Sequence, residues 1–206
     1  MEALILVFSL VIDSFVASIA YSANKIKIPN IYIIVMNIVS CLILTMSLTL
    51  GNYLEGILPN YLPKYISFFI FTSLGVYKLF EGFFKRYMSK FSKLREPLTI
   101  KLFDFKLAFQ VYIDETKADF DKSKNISLKE SIYLAMALSL DSLAVGFGAS
   151  FININSLFMI LFCFIFGICS IKIGSYLGEK FLPSNSNNNL SWISGICLLL
   201  IAFLKL

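Results

Sequence analysis

A chain of 206 residues that is 58% hydrophobic and only 15% charged is built for a lipid bilayer and not for water. Its net charge of +5 sits among interleaved acids, so it is a topology signal and gives no support to nucleic-acid binding. The complete lack of histidine excludes His-ligated metals, His proton relays and His-dependent catalytic triads, which leaves oxygen, helped by Met or Cys sulfur, to hold any cation.

In chain order, six apolar runs stand out, at about 3–23, 28–50, 64–84, 131–150, 155–177 and 190–206. The first is not a cleavable signal peptide, because Met1-Glu2 supplies no basic flank and Asp13 interrupts the apolar stretch. Asp13 falls near the middle of this run, inside Ser9-Leu-Val-Ile-Asp-Ser-Phe-Val-Ala-Ser. A carboxylate at the centre of a bilayer costs several kcal/mol unless it is paired, protonated or holding a cation. Lys25 and Lys27 follow this span, and eleven Lys or Arg lie between Lys85 and Lys129. Placing these basic segments in the cytosol puts both termini outside and the loop inside. Lys78, Glu81 and Lys172 read as anchors at the cytosolic surface, within snorkelling reach of water.

The segment 85–130 is the one sizeable soluble piece. Phe103, Phe105, Leu107, Phe109, Val111 and Ile113 alternate with polar residues, as in a strand, and a surface-lying amphipathic helix remains open. Further on, Asp119, Asp121, Ser123, Asn125, Ser127 and Glu130 fall at positions 1, 3, 5, 7, 9 and 12 of an EF-hand calcium loop. Lys124 stands at the sixth position, where that loop uses glycine. Ser127-Leu-Lys-Glu130 also reads as a capping box that starts the fourth helix.

The fourth run repeats the motif of the first. In Ala137-Leu-Ser-Leu-Asp-Ser-Leu-Ala-Val-Gly-Phe-Gly, Asp141 and Ser142 stand where Asp13 and Ser14 stand, 128 residues earlier. At an offset of 123, Ser47-Leu-Thr-Leu-Gly-Asn-Tyr-Leu matches Ser170-Ile-Lys-Ile-Gly-Ser-Tyr-Leu. At an offset of 127, Tyr65-Ile-Ser and Lys78-Leu match Trp192-Ile-Ser and Lys205-Leu. Three spans per half turn the second half upside down, so the expected fold is all-α: six transmembrane helices as an inverted 3+3 repeat. The halves are 1–84 and 131–206, joined by the cytosolic loop 85–130. Gly174 and Gly178 read as a close-packing pair. Gly146 and Gly148 are open between close packing and loosening a helix to free carbonyls near Asp141. Cys41, Cys163, Cys169 and Cys197 read as free thiols acting as small buried hydrophobes, with neither metal spacing nor a disulfide framework.

Two carboxylates from facing repeats would neutralise one divalent cation near the midplane. Ser9, Ser14, Ser139 and Ser142 could complete an oxygen shell suited to Mg²⁺, Ca²⁺ or Mn²⁺. Cation–proton exchange fits such a pair, and nothing beside it suggests catalysis or a resident cofactor. The bland alternative is that each Asp makes a buried hydrogen bond to a neighbouring helix. These motifs, with Lys25-Ile-Lys-Ile-Pro29 and the run Lys117–Glu130, resemble the MntP family of manganese efflux pumps, and more closely its sporulation branch, the YtaF membrane proteins. The resemblance implies six spans, Asp13 and Asp141 as ion-handling residues, and a cell- or forespore-membrane location. Lys124 departs from that branch, and spans two and five carry no further carboxylate. The expected partners are lipid, a divalent cation and, left open, a second copy of the chain. The competing expectation is a non-transporting membrane component whose cytosolic loop binds a partner or senses calcium.

Overall fold

The computed structural model describes residues 2–59, 61–92, 119, 123–152, 154–181, 199 and 202–203, the side chains of 2, 81–92 and 181 aside. Apart from one isolated bridge, the regular structure among them is helical: α1 (Glu2–Ala23), α2 (Asn30–Glu55), α3 (Leu62–Ser92), α4 (Leu128–Leu138), α5 (Leu140–Ser150) and α6 (Ser156–Phe181). Three of these helices, over Ala3–Ala23, Asn30–Glu55 and Ser156–Lys180, are long and apolar enough to cross a membrane. The pair α4 and α5 passes the same test as one span bent by 43°. The expected strand at 103–113 lies outside the described residues, as does most of the sixth run. Of that run, Ala202 is buried and the ring of Phe203 meets Phe68 edge-on at 5.9 Å.

Three helices start where the sequence supplies a start signal. Pro29 precedes α2, with its fixed φ at −58°. The Asn155 carboxamide oxygen accepts from the N–H groups of Leu157 (3.1 Å) and Phe158 (3.2 Å) to open α6. The capping box at α4 forms as the sequence predicts: the Ser127 hydroxyl accepts from Glu130 N–H, and Ser127 N–H donates to the Glu130 carboxylate at 2.8 Å.

The fourth run differs from the single helix expected. It breaks at Ser139, whose backbone takes φ −96° and ψ 2°. The Ser139 hydroxyl donates to the Ala135 carbonyl one turn back at 2.6 Å, and lies 2.7 Å from the Ser40 hydroxyl of α2. A serine bonded to the carbonyl four residues earlier bends a helix, and a partner hydroxyl on α2 fixes the bend here. The loosening considered for Gly146 and Gly148 is therefore not where the helix opens. A Cβ on Gly146 would sit 3.0 Å from Ser47 Cβ and from Leu44, and one on Gly148 3.1 Å from Phe71, so both glycines serve close packing of α5 against α2 and α3.

The other crossing is between α1 and α6. A Cβ on Gly174 would lie 2.7 Å from the Phe15 carbonyl, and one on Gly178 2.6 Å from the Ile19 carbonyl. This agrees with the close-packing reading of that pair. The outer faces carry the apolar side chains that lipid solvates, clearest on α2, where Ile31, Ile34, Ile38, Leu42, Met46 and Leu50 are exposed at helical spacing.

The core splits into two apolar clusters. One gathers Leu6, Leu10, Leu44, Leu48, Phe71, Val145 and Met159; the other gathers Tyr21, Ile33, Met36, Ile126, Leu134 and Ile171. Along α1, α2 and the α4–α5 pair, the stretches between the clusters carry polar residues: Asp13 and Ser14, Asn37 and Ser40, Ser139, Asp141 and Ser142. A polar layer thus lies between two apolar ones. Of the cysteines described, Cys163 is buried and Cys41 partly so, but Cys169 is exposed, which corrects the expectation that all are buried.

Near one end, Lys27 pairs with the segment before α4: its N–H donates to the Lys124 carbonyl at 2.9 Å, and its carbonyl accepts from Ile126 N–H at 3.0 Å. Ile126 is fully covered there. Lys124 itself is left-handed, with φ 61°, a conformation that costs a side-chain-bearing residue about 1–2 kcal/mol. Lys124→Gly should therefore stabilise the folded protein by about 0.5–1 kcal/mol after the extra freedom glycine gives the unfolded chain. A thermal melt of the detergent-solubilised protein measures this.

Candidate cation site

The polar layer is built around two aspartates. Asp13 comes from the middle of α1, and Asp141 from the first turn of α5, just past the Ser139 break. That break places the Asp141 carboxylate at a new helix N-terminus, where it accepts the Ser142 N–H at 2.7 Å. Free backbone donors and the positive end of the helix dipole both favour an anion at this place. The two motifs are equivalent in sequence but not in backbone. Val11 stands in α1 where Ser139 stands in the repeat, and α1 runs unbroken through Asp13.

The residue that joins the aspartates is Lys78 of α3. Its ammonium donates to Asp13 Oδ2 and to Asp141 Oδ2, the latter at 2.8 Å. The exposures are 5% for the lysine and 11% and 14% for the aspartates, so the ammonium is buried and the carboxylates largely so. This corrects the reading of Lys78 as a surface anchor. Because α3 continues to Ser92, Lys78 lies near its middle and not at its end. It follows Ser67, Phe71 and Gly75 along one buried stripe at spacings of three and four.

Next to the residues that follow the two aspartates is a small cavity of about 20 Å³, which neither aspartate nor Lys78 lines. That is room for about one water or one bare metal ion. Ser14 and Ser142, the residues that follow the two aspartates, line it together with Asn37, Ser40 and Cys163. Of the serines expected to complete an oxygen shell, Ser14 and Ser142 reach this cavity. Ser139 instead spends its hydroxyl on the helix break, and Ser9 is buried in α1. Asn37 and Ser40 were not foreseen. Asn37 is buried, donates to the Ile33 carbonyl at 2.9 Å, and packs on Gly167 of α6, where a Cβ would collide with its carboxamide oxygen.

The calcium-loop residues lie apart from this site. The Asp119 carboxylate accepts from the N–H groups of Ser123 (3.0 Å) and Lys124 (3.1 Å), and the Ser123 hydroxyl donates to the Asn125 carbonyl at 2.9 Å. Glu130 is buried and its carboxylate serves the capping box. Asp121 lies outside the described residues. No group of three or more His, Cys, Asp or Glu able to hold a metal occurs among the described residues, at the loop or at the aspartate pair.

No solved structure matches this chain. The chain is 27% identical over 205 residues to the "Probable sporulation protein YtaF" of Bacillus subtilis (strain 168), covering 98% of this chain and 97% of that one. Residues 83–206 match the profile of the family described as "Putative manganese efflux pump". That description is of a membrane transporter and not of an enzyme, and the apolar helices agree with a multi-pass membrane protein. With more than half of its length matched, the chain belongs to this MntP family.

Proposed function

We propose that the protein carries a divalent cation across the membrane, Mn²⁺ first among candidates, through a site formed by Asp13 and Asp141. The observation that carries this reading is that one nitrogen, Lys78 Nζ, lies within bonding reach of both carboxylates, so that the two can share a single cation. Ser14, Ser142 and the Asn37 carboxamide around the adjoining cavity add oxygen ligands of the kind that hard divalent ions take. Manganese as cargo draws support from the family's description, and a role in sporulation from the YtaF relative. Cation–proton exchange is the coupling such a site favours. Cargo leaving two carboxylates in a low-dielectric layer must be replaced by positive charge.

The same reading has six spans in an inverted 3+3 repeat, with residues 190–206 as the sixth. The helix pairings support it: α1 lies on α6 and α2 on the α4–α5 pair, which exchange under the two offsets. So do the matched serines. Ser47 donates to the Leu143 carbonyl and Ser170 to the Val11 carbonyl (3.1 Å), each two residues from an aspartate of the other half. By the distribution of Lys and Arg, both termini lie outside and 85–130 is cytosolic.

Flux into proteoliposomes tests the proposal, with Mn²⁺, Mg²⁺, Ca²⁺ and Zn²⁺ offered separately. Uptake of one ion by the wild type, absent from Asp13→Asn, is expected; no uptake of any ion by folded protein overturns it. A second reading rests on Lys124, which adopts at the glycine position of an EF-hand the left-handed backbone that position requires. On that reading the loop senses calcium or docks a partner. Calcium binding that Asp119→Asn abolishes, with no cation flux, would favour it.

A further inference from the structure

We propose that Cys41 and Cys163 together bind one soft divalent cation of the mercury(II) kind, at a place separate from the aspartate pair. The two thiols come from different helices, Cys41 from α2 and Cys163 from α6, and lie within hydrogen-bonding reach of each other. The helix crossing fixes this meeting. Asn37 of α2 packs on Gly167 of α6, where a Cβ would collide with the carboxamide oxygen. One turn onward along α2 and one turn back along α6 stand Cys41 and Cys163. About a turn further, Leu44 and Met159 share one apolar cluster; on the other side of the Asn37–Gly167 contact, Ile33 and Ile171 share the second. The Cys41 thiol also reaches the Ile160 carbonyl, at 4.0 Å, in the turn of α6 before Cys163. Gly167 lets the helices approach closely, and the sulfurs of the next turn are held together by that approach.

Sulfur selects the ion. Thiolates prefer soft cations, whereas Mn²⁺, Mg²⁺ and Ca²⁺ take oxygen. Mercury(II) is satisfied by two sulfurs in line, so a pair of thiols is a complete site, and no larger group is needed among the described residues. Charge balances as well. Mercury(II) chloride is neutral and enters an apolar layer undissociated. Each thiol gives up its proton, two Hg–S bonds replace two Hg–Cl bonds, and two HCl leave. The bound form is neutral like the free one, so no charge is stranded in a poorly solvated interior. Room for the ion lies on the α6 side of the pair. Cys163 lines the cavity of about 20 Å³ together with Met36, whose thioether is another soft donor, while Cys41 does not line it. An ion held by both sulfurs ties α2 to α6.

Mercury(II) chloride offered to the purified full-length protein tests this, in a Cys169→Ser/Cys197→Ser background that leaves only the two thiols in question. One mercury per chain should be retained against a roughly tenfold molar excess of glutathione, because the second sulfur binds intramolecularly at high effective concentration. Two protons should be released for each ion bound. Cys41→Ser or Cys163→Ala in the same background should lower retention about tenfold or more. Cys41 is only partly buried, so its serine variant tests the idea even where Cys163→Ala fails to fold. Unfolding the protein that keeps both thiols should lower retention too, since nothing then holds the sulfurs together. Adding Asp13→Asn should leave retention unchanged. Mercury held equally well by either single-thiol variant, or by the unfolded chain, overturns the proposal. So does retention that depends on Asp13, one mercury shared between two chains, or no retention by folded protein with both thiols free. None of these outcomes bears on the aspartate pair as a carrier of Mn²⁺, which flux measures separately.

Discussion

Asp13→Asn and Asp141→Asn, each made alone, should lower divalent-cation flux about a hundredfold or more, because losing one of two charged ligands in a low-dielectric site costs ~3 kcal/mol or more. Neither should unfold the protein. Lys78 bonds to both carboxylates, so each single variant leaves it one charged partner and one amide oxygen that can accept its remaining bond. The double variant is a different experiment. It strands a 5%-exposed ammonium without any counter-charge, and breaking a buried ion pair in that way costs about 3–5 kcal/mol. Loss of flux in Asp13→Asn/Asp141→Asn could then report misfolding alone. Adding Lys78→Gln removes the stranded charge and should restore the melting temperature without restoring transport. Flux retained in either single variant would show that the carboxylates hold the fold together and do not handle cargo.

The two aspartates were legible because an apolar run makes a charge conspicuous, and because the chain states the motif twice at a fixed offset. Ser127 and Glu130 were legible because a capping box needs only local chemistry, and Gly174 and Gly178 because their spacing alone places them on one face. Lys78 was not. The apolar pattern stops at residue 84, which puts a lysine six residues earlier within reach of water. The helix in fact runs to Ser92 through Lys85, Arg86 and Lys90, which the apolar pattern cannot follow. The usable signal was the stripe Ser67, Phe71, Gly75 and Lys78, whose small members leave room for a long side chain to cross toward α1 and α5. Ser139 was missed for a related reason. A helix break with neither proline nor glycine is set by a tertiary partner, here the Ser40 hydroxyl at 2.7 Å, and local sequence does not contain that partner.

The geometry of the triad depends on how closely α1 approaches α6, and this yields the second large effect. Gly174→Ala/Gly178→Ala should destabilise the protein by about 2–5 kcal/mol, at the upper end of what overpacking causes. The collisions are with main chain, which cannot rotate away: the Phe15 carbonyl at 2.7 Å, and the Ile19 carbonyl at 2.6 Å with its Cα at 3.1 Å. Two hydrogen bonds tie the same helices together and would stretch as they part, Ser22 to the Ser175 carbonyl at 2.6 Å and Ser170 to the Val11 carbonyl at 3.1 Å. Val11 is two residues from Asp13, so a shift of α1 draws its carboxylate away from Lys78 and Asp141 even if the helix stays in the membrane. Cation binding should accordingly fall more steeply than stability in the milder Gly174→Ala alone, whose nearest contacts include the movable side chains of Ser18 and Phe15. Melting temperature and Mn²⁺ affinity measured on the same preparations separate the two effects. Equal affinity in Gly174→Ala and wild type, despite a lower melting point, would show that the aspartate pair is held by Lys78 and α5 and not by the α1–α6 crossing.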